Sequence, residues 1–388
     1  MNTGTAAPSR RSRRPRHSKV LVYALLCVGG ATMMLPLLWM LSTSLKDPGN
    51  VFTSPPQFIP RRQVTWRDAA SGEDLPVFTM RVAGETRRAA VVRRSPEGVI
   101  VRPLDASGQA GEETTVPADS LRPVYEVHFR WRNYLDAAQA LTLDRNWLSF
   151  AVPAYRVSLR HSTWEFGPWS FPGFPLRNAF IAFYLNSIIV TTCVTLGEVV
   201  TSSLAAFAFA RLRFPGRDAL FVGYLGTMMV PSVVTMIPVF VLLKQLHLID
   251  TYAALILPVM FSAYGTFMLR QFFLTIPAEL EDAAKIDGCG RFGVYRHVIL
   301  PLSKPALATL TTFTFLGTWN AFMWPLIVIN SMQRKPLMVG LYAFVGQYST
   351  DWTMLMAASV MVMVPVLIVF ILGQRYFVQG IVMSGLKG

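Results

Sequence analysis

Charged residues are scarce in this chain. Of its 388 residues, 15% are Asp, Glu, Lys or Arg, whereas 52% are hydrophobic and the mean hydropathy is +0.40. A soluble domain usually carries about a quarter charged residues. The deficit argues against an ordinary soluble protein and predicts a membrane protein.

The chain also lacks the residue groupings of common catalytic and metal sites. Its three cysteines, Cys27, Cys193 and Cys289, have neither metal-site nor redox spacing, and its five histidines are scattered without an HExxH pattern. Neither a nucleophile elbow nor a G-x-x-x-x-G-K-[ST] phosphate loop is present. We therefore predict no catalytic residue, no metal site and no bound cofactor. If ATP drives this protein, another chain must bind it.

Long apolar runs are abundant, and the first of them is free of charge. That run is too long for the apolar part of a signal peptide and has no small-residue cleavage site, so we expect a retained helix. About 20 helical residues cross the hydrocarbon core of a bilayer. Six runs meet this length and predict six transmembrane helices: 20–45, 184–210, 219–243, 251–269, 305–332 and 352–374.

The basic residues predict the orientation of these helices. The net charge of +14 also allows a nucleic-acid-binding arm before residue 20, but a basic cluster before a first span more often sets topology. Basic residues recur in short loops on one side, so both termini are predicted to be cytoplasmic and no nucleic-acid partner is expected. These residues are Arg10, Arg11, Arg13, Arg14, Arg16, Lys19, Arg211, Arg213, Arg217, Arg270, Lys285, Arg291, Arg296, Lys304, Arg375 and Lys387.

A segment at 46–177 lies between the first two predicted helices and is too long for a simple loop. Residues 78–104 alternate apolar and polar around Gly84 and a turn at 96–98, which predicts an antiparallel meander, and 124–131 is a further strand candidate. We expect a small β-rich extracytoplasmic module at about 64–131. It serves either as a spacer or clamp, or as a binding surface for a soluble partner. Aromatic residues at 164–178 suit the membrane interface, with sugar stacking on Trp164 or Trp169 as the alternative.

The most informative stretch is "IPAELEDAAKIDGCGRFGVYRHVILPL", residues 277–303. Early acids and strong helix formers predict a helix over 279–286, and a second short helix is expected at about 292–299. Leu280, Ala283, Ala284 and Asp287 share one helical face. Gly288 and Gly290 permit a sharp turn between the helices. A helix–turn–helix with small side chains on one face is suited to docking on another surface.

The spacing of this stretch resembles the loop signature of binding-protein-dependent ABC importer permeases. The matching residues are Asp282, Ala283, Ala284, Gly288, Val298, Leu300 and Pro301, with Asp282 where the family usually has Glu and Glu281 as the neighbouring acid. The resemblance implies that this loop, 277–304, contains a coupling helix that fits a cleft on an ATPase subunit. Glu281 and Asp287 belong to the same implied coupling site.

Other tracts resemble the carbohydrate-importer branch of that family, in particular the maltose-type second permease subunit. They are "SLKDPGNVF", "WRNYLDA", "TWNAFMWPLIVI" and the C-terminal "RYFVQGIVMSGLKG". The β-rich stretch is not part of the usual pattern. The resemblance implies a prokaryotic inner-membrane permease for a sugar, polyol or glycoside, without catalytic activity. It implies as partners a second permease subunit, an ATPase dimer that binds ATP and Mg, and an extracytoplasmic solute-binding protein.

The expected architecture is an all-α polytopic membrane protein with a β-rich insertion. We divide it into a cytoplasmic N-terminus (1–19), the first transmembrane helix (20–45), the extracytoplasmic segment (46–177) and a permease core (178–388). Two other function classes remain open: a secondary transporter or channel, and a membrane scaffold whose β module binds a partner. Copurification of an ATPase subunit would distinguish the ABC importer permease from both of these classes.

Three residues are candidates for the substrate path. Glu198 is an acid within an apolar run, where a charge indicates either a pathway or a polar contact between helices, and we weight the contact more heavily. Trp319 and Asn320, expected mid-span in the fifth helix, can stack on a sugar and bond its hydroxyls. Helix packing is the alternative for both.

Overall fold

The computed structural model describes residues 16–53, 56–68, 71–82, 85–95, 98–105, 108–140, 163–166, 169–172, 178–347 and 351–385. The basic residues at 10–14 and Lys387 lie outside this range, as do parts of the aromatic tract at 164–178 and the side chains of Trp164 and Trp169. The chain forms two compact units, Met1–Trp131 and Arg132–Gly388. The permease core predicted at 178–388 lies within the second unit.

The first unit begins with a long apolar helix, α1 (Arg16–Ser44). Its apolar part, Val20–Ser44, is 25 residues long and agrees closely with the predicted first span. At 1.5 Å per residue this part measures about 38 Å, enough to cross a bilayer.

Short antiparallel strands make up the rest of the first unit. They are β1 (Arg61–Gln63), β2 (Thr65–Arg67), β3 (Asp74–Val82), β4 (Glu85–Ser95), β5 (Gly98–Leu104), β6 (Thr114–Val116), β7 (Leu121–Pro123) and β8 (Tyr125–Val127). Strands β2 to β6 pair in chain order, and β7 pairs with β3. The separate pair of β1 and β8 is called the ribbon below. Alternating residues of β3, β4 and β5, including Met80, Ala89 and Val101, form a small apolar core.

The strand expected at 124–131 is shorter in the structure. It ends at Val127, because Pro60, opposite His128 in the same register, has no backbone N–H to continue the ladder, and Arg130 turns to another segment. His128 donates its backbone N–H to Pro60 O at 3.1 Å, and Arg130 donates to Leu45 O at 3.0 Å. The two ends of the β module thus meet at the end of α1.

The second unit is helical around one long helix. Its elements are α2 (Arg132–Gln139), β9 (Thr163–Phe166), β10 (Trp169–Pro172), α3 (Ala179–Arg211), α4 (Arg217–Gly226), α5 (Ser232–Gln245), α6 (Tyr252–Ile256), α7 (Ala263–Leu274), α8 (Glu279–Ile286), α9 (Arg291–Leu302), α10 (Lys304–Trp319), α11 (Met323–Val328), α12 (Leu337–Gln347) and α13 (Trp352–Gly385). Asn178 caps α3, its side-chain oxygen accepting from Phe180 N at 3.0 Å. Such a cap satisfies backbone donors at the helix start.

The predicted spans are only partly continuous helices. Among the described residues, Val20–Ser44, Ala179–Arg211 and Trp352–Gln374 are long and apolar enough to cross a membrane, and two bent helix pairs raise the number to five. The third run bends by 99° between Met229 and Ser232, where Pro231 has no backbone N–H to continue the helix. The fourth run is divided into α6 and α7, and the fifth ends as a helix at Trp319 rather than continuing to 332. Uninterrupted spans were therefore the wrong expectation for these three runs.

Helix α3 is the centre of the unit, because it packs against α2, α4, α6, α7, α10 and α12. Near its start, Phe183 joins a cluster with Trp319 and Leu337. Near its end, Phe207 joins a cluster with Phe273 and Tyr295. A displacement of α3 must therefore move most of the neighbouring helices.

Candidate functional site

The charged stretch forms a helix–turn–helix, as its composition predicts. Helix α8 ends at Ile286, and the turn places Gly288 at φ +86°, a conformation that glycine adopts without strain. Gly290 has φ −71° and ψ 174°, which any residue adopts, so only the first glycine is required by the turn. The second helix, α9, runs from Arg291 to Leu302, longer than the expected 292–299. Pro301 lies inside α9, and the chain then bends by 78° into α10.

Three of the four residues on the predicted docking face of α8, Leu280, Ala283 and Asp287, are exposed. Ala284 is half-buried and packs against the cluster at the end of α3, whereas Ala283 is exposed. Ile286 is 87% exposed, and Leu280 and Phe292 are also exposed. The exposed surface of α8 thus carries the apolar residues Leu280, Ala283 and Ile286 among charged residues such as Asp282 and Lys285, and Ile286 was not among the predicted docking residues. The signal in the sequence was the presence of an isoleucine in a short charged loop between apolar runs.

The acids of α8 point in different directions. The Asp282 carboxylate is exposed and lies 2.8 Å from Lys285 Nζ, three residues along the helix, and Asp287 is exposed at the C-cap. Glu281 is turned inward, and its side chain is 10% exposed. Of the two neighbouring acids, Asp282 is therefore accessible to another protein and Glu281 is not.

Glu281 pairs with Arg211, the last residue of α3. Arg211 Nε lies 2.8 Å from Glu281 Oε1, and the Arg211 side chain is 12% exposed. Arg211 Nη2 also donates to Ile276 O at 2.6 Å and to Phe273 O, at the end of α7. A cation suits this position, because carbonyls at a helix C-terminus carry partial negative charge. Arg211 thus joins α3, α7 and α8.

A second bond attaches the other half of the loop to α3. The hydroxyl oxygens of Tyr295 in α9 and Ser203 in α3 are 2.7 Å apart and buried, and the Tyr295 and Phe207 ring centroids are 5.3 Å apart. Both helices of the loop are therefore fastened to the same membrane helix. The roles of Arg211 and Tyr295 were missed from the sequence, because their partners are distant along the chain.

Glu198 lies where three helices meet. Its carboxylate accepts hydrogen bonds from the side chains of Ser262, the N-cap of α7, and Thr314 in α10. An ideal Cβ on Gly265 would lie 3.2 Å from Glu198 Oε1, so the glycine permits this close approach. The geometry favours a polar contact between helices.

Among the described residues, no group of three or more His, Cys, Asp or Glu side chains could hold a metal ion.

Trp319 and Asn320 lie at the end of α10 and not mid-span. Trp319 is only 2% exposed, its ring contacts Tyr184 and Phe315, and its Nε1–H donates to Val362 O at 3.2 Å. These contacts favour helix packing for Trp319. Asn320 is the C-cap of α10 and is exposed, with Nδ2 donating to Leu316 O at 2.8 Å. The structure does not bring Glu198, Trp319 and the α8 loop into one site.

The second unit of this chain is similar in sequence to known transport proteins. Residues 198–382 match the family described as "Binding-protein-dependent transport system inner membrane component". The chain is 37% identical over 209 residues to the arabinooligosaccharides transport system permease protein AraQ of Bacillus subtilis, covering 54% of this chain and 74% of that protein. It is 41% identical over 199 residues to the sn-glycerol-3-phosphate transport system permease protein UgpE of Agrobacterium fabrum, covering 51% and 71%.

A solved structure has a similar fold. It is a bacterial ABC transporter involved in the import of the acidic polysaccharide alginate, matched with a TM-score of 0.59 and 19% identity over 96% of this chain and 100% of that chain. The resemblance read from the α8 loop is confirmed by these matches. This chain belongs to the binding-protein-dependent transport system inner membrane component family, as a membrane-embedded permease subunit of an ABC importer.

Proposed function

We propose that this permease works with a separate ATPase dimer, onto which α8 docks through Ile286 and Ala283. The observation that carries the proposal is the 87% exposure of Ile286. Ala283, three residues earlier, is exposed on the same face of α8, and exposed apolar surface on a soluble loop indicates an interaction site. ATP and Mg then bind to the ATPase chains, and this chain binds no cofactor. Asp282 is the accessible acid of the site, and Glu281 has an internal role.

Displacement of α8 is the mechanical step of this proposal. When the ATPase dimer closes, α8 moves with the cleft that holds it. The movement reaches α3 through the Arg211–Glu281 ion pair and the Ser203–Tyr295 hydrogen bond. Because α3 contacts most helices of its unit, its displacement switches the permease between inward-facing and outward-facing states.

Docking is tested by Ile286→Asp, with Ile286→Val as the matched control. A charge at the centre of an apolar interface loses its hydration without gaining a partner, so Ile286→Asp should abolish copurification of the ATPase and uptake. Ile286→Val should retain both. Ala283→Trp tests the same face by bulk. Normal ATPase binding in Ile286→Asp and Ala283→Trp, at normal expression, would remove α8 as the docking element.

We propose six spans with both termini in the cytoplasm. Helices α1, α3 and α13 form three spans, and the interrupted pairs α4–α5, α6–α7 and α10–α11 form the others. The support is the excess of basic residues in alternate short loops. Cysteine labelling tests it at exposed positions: Pro215 and Gly290 should label from the cytoplasm, and Glu112, Gln245 and Asn330 from outside. Cytoplasmic labelling of Glu112→Cys would break this topology.

We propose a polyhydroxylated solute, a sugar or a related polyol or glycoside, delivered by a solute-binding protein to this chain and a second permease subunit. Support comes from the relatives, whose names specify arabinooligosaccharides and glycerol 3-phosphate. Asn320 remains the best contact candidate in this chain because its amide is exposed. Asn320→Ala should raise the half-saturating solute concentration for uptake, whereas Asn330→Ala should not. Equal uptake in both variants would place the contacts in the partner permease.

For the β module we propose an extracytoplasmic role in delivery from the solute-binding protein. Arg87, Arg88, Arg93 and Arg94 are exposed on β4 and suit an acidic surface. Val64 donates its backbone N–H to Val124 O at 2.9 Å, next to the ribbon pair Gln63 and Tyr125, so a two-residue Asn-Gly turn can replace 65–123 and keep the ribbon paired.

This excision should preserve assembly with the ATPase and raise the half-saturating concentration of the binding protein. Unchanged stimulation would identify a passive insertion, and loss of the complex would identify a structural clamp.

A further inference from the structure

The ribbon carries an apolar stripe on one face. Tyr125, Val127 and Phe129 alternate with polar residues and are 41%, 57% and 47% exposed, and Trp131 beyond them is exposed too. The intervening residues face the other way: His128 Nδ1 lies 3.7 Å from Asp47 Oδ2, and Arg130 Nη1 lies 4.0 Å from Asp47 Oδ1. Along residues 125–130 the alternation therefore places the apolar side chains on one face and those of Glu126, His128 and Arg130 on the other.

The position of the ribbon is set by the end of α1. Leu45 O, one residue beyond the helix, accepts the backbone N–H of Arg130 at 3.0 Å. The ring of Phe58, just before β1, meets Trp39 of α1 edge-on with centroids 5.2 Å apart, and Ser42 Oγ donates to Phe58 O. Lys46 Nζ lies 4.0 Å from the centroid of the Trp39 ring. These contacts hold one end of the ribbon, next to Phe129, against the last turns of α1.

We infer that the stripe of Tyr125, Val127 and Phe129 inserts into the bilayer interface and anchors the β module to lipid. Aromatic and aliphatic side chains beside a transmembrane helix match the composition of membrane-interface belts. Arg61 is the register partner of Val127 and is exposed on the same face, where its guanidinium can reach lipid phosphates. A soluble partner is disfavoured as the occupant, because Arg130, next to Phe129, bonds to Leu45 at the end of the predicted transmembrane helix α1.

The inference does not depend on the proposed ATPase docking, substrate or orientation. It needs only that α1 crosses the membrane, since a lipid surface lies at the end of α1 on either side. Its physical consequence is that the ribbon fixes the distance of the β module from the membrane, because Val77 of β3 bonds to both Val64 and Val124 at the other end of the ribbon.

The test uses nitroxide labels on the full chain, assembled with its partner subunits in lipid nanodiscs. The native cysteines are first replaced by Cys27→Ser, Cys193→Ser and Cys289→Ala. Labels are then placed by Val127→Cys and Phe129→Cys, with Glu126→Cys as the matched control. Glu126 is exposed on the same strand but points to the opposite face. Tyr125→Cys is a further variant should one label disturb assembly.

Oxygen concentrates in lipid, whereas a water-soluble nickel chelate does not enter it. We expect labels at 127 and 129 to be accessible to oxygen and protected from the chelate, with an accessibility ratio several-fold above that at 126. High chelate accessibility at 127 and 129 would show a stripe in water and overturn the inference. Low accessibility to both reagents would show that protein covers the stripe and would overturn it as well.

Discussion

Removal of the Arg211 charge should loosen the packing of α8 against α3 and α7. In Arg211→Met the Glu281 carboxylate, 10% exposed, would remain without its counter-charge, and Ile276 O would lose a donor at 2.6 Å. Breaking a buried ion pair by deleting one partner costs about 3–5 kcal/mol. At 1.4 kcal/mol per factor of ten, the open population of α8 should rise about 100- to 4,000-fold.

Hydrogen–deuterium exchange of the assembled complex measures this opening directly. Peptides covering 277–290 should exchange faster by that factor in Arg211→Met, while peptides of the β module should not change. Arg213→Met is the matched control, because Arg213 is exposed two residues along the chain and should leave α8 protected. Uptake and binding-protein-stimulated ATP hydrolysis should fall in Arg211→Met alone.

The double variant tests whether α8 needs the two opposite charges or only well-packed side chains at these two positions. Replacing a buried pair by apolar residues of similar volume is often neutral, so Arg211→Met with Glu281→Met should recover most of the protection. We expect uptake to recover as well, because the movement of α8 reaches α3 through packed side chains and does not require the charges themselves. Unchanged exchange in Arg211→Met would refute the reasoning, as would double-variant losses equal to the sum of the single losses.

Three further changes test other contacts. Gly288→Ala should cost about 1–2 kcal/mol, because a side chain at φ +86° is strained, and Gly288→Asn less; equal thermal midpoints for the two variants would contradict this. Gly340→Ala would place a Cβ 2.1 Å from Phe183 Cδ2 and should cost about 1–3 kcal/mol, measured as a lower thermal midpoint. An unchanged midpoint would show that this packing is not tight. Glu198→Gln can keep bonds to Ser262 and Thr314 and should retain uptake, whereas Glu198→Leu should lower the amount of assembled complex. Loss of uptake in a well-assembled Glu198→Gln would instead assign the charge to the substrate path.

Local sequence features were sufficient to predict the membrane class and the α8 loop. A charge-free run longer than about 20 residues satisfies its backbone in lipid only as a helix, and α1 follows that rule. The α8 loop was recognisable because its helix formers, its glycine and its Leu-Pro pair lie close together in sequence. Gly288 adopts the positive φ that the turn requires.

The interruptions of the spans were not predictable from hydropathy. A hydropathy average does not distinguish a straight helix from one bent at Pro231, because both bury the same apolar residues. Likewise, Trp319 in an apolar run is compatible with stacking on a sugar or with packing. Its contacts with Tyr184 and Val362, which are remote in sequence, decide for packing.

By itself, the sequence determined that this chain spans a membrane, carries the loop signature of the permease family and inserts alternating strands after its first helix. Tertiary structure alone decided that Ala284 turns toward the core while Ile286 faces away, that Glu281 meets Arg211, and that Arg130 returns to Leu45. The physical reason is the distance along the chain between the residues that interact. Helix and strand periodicity depend on neighbours a few residues away, whereas an ion pair or a chain closure depends on where distant segments pack.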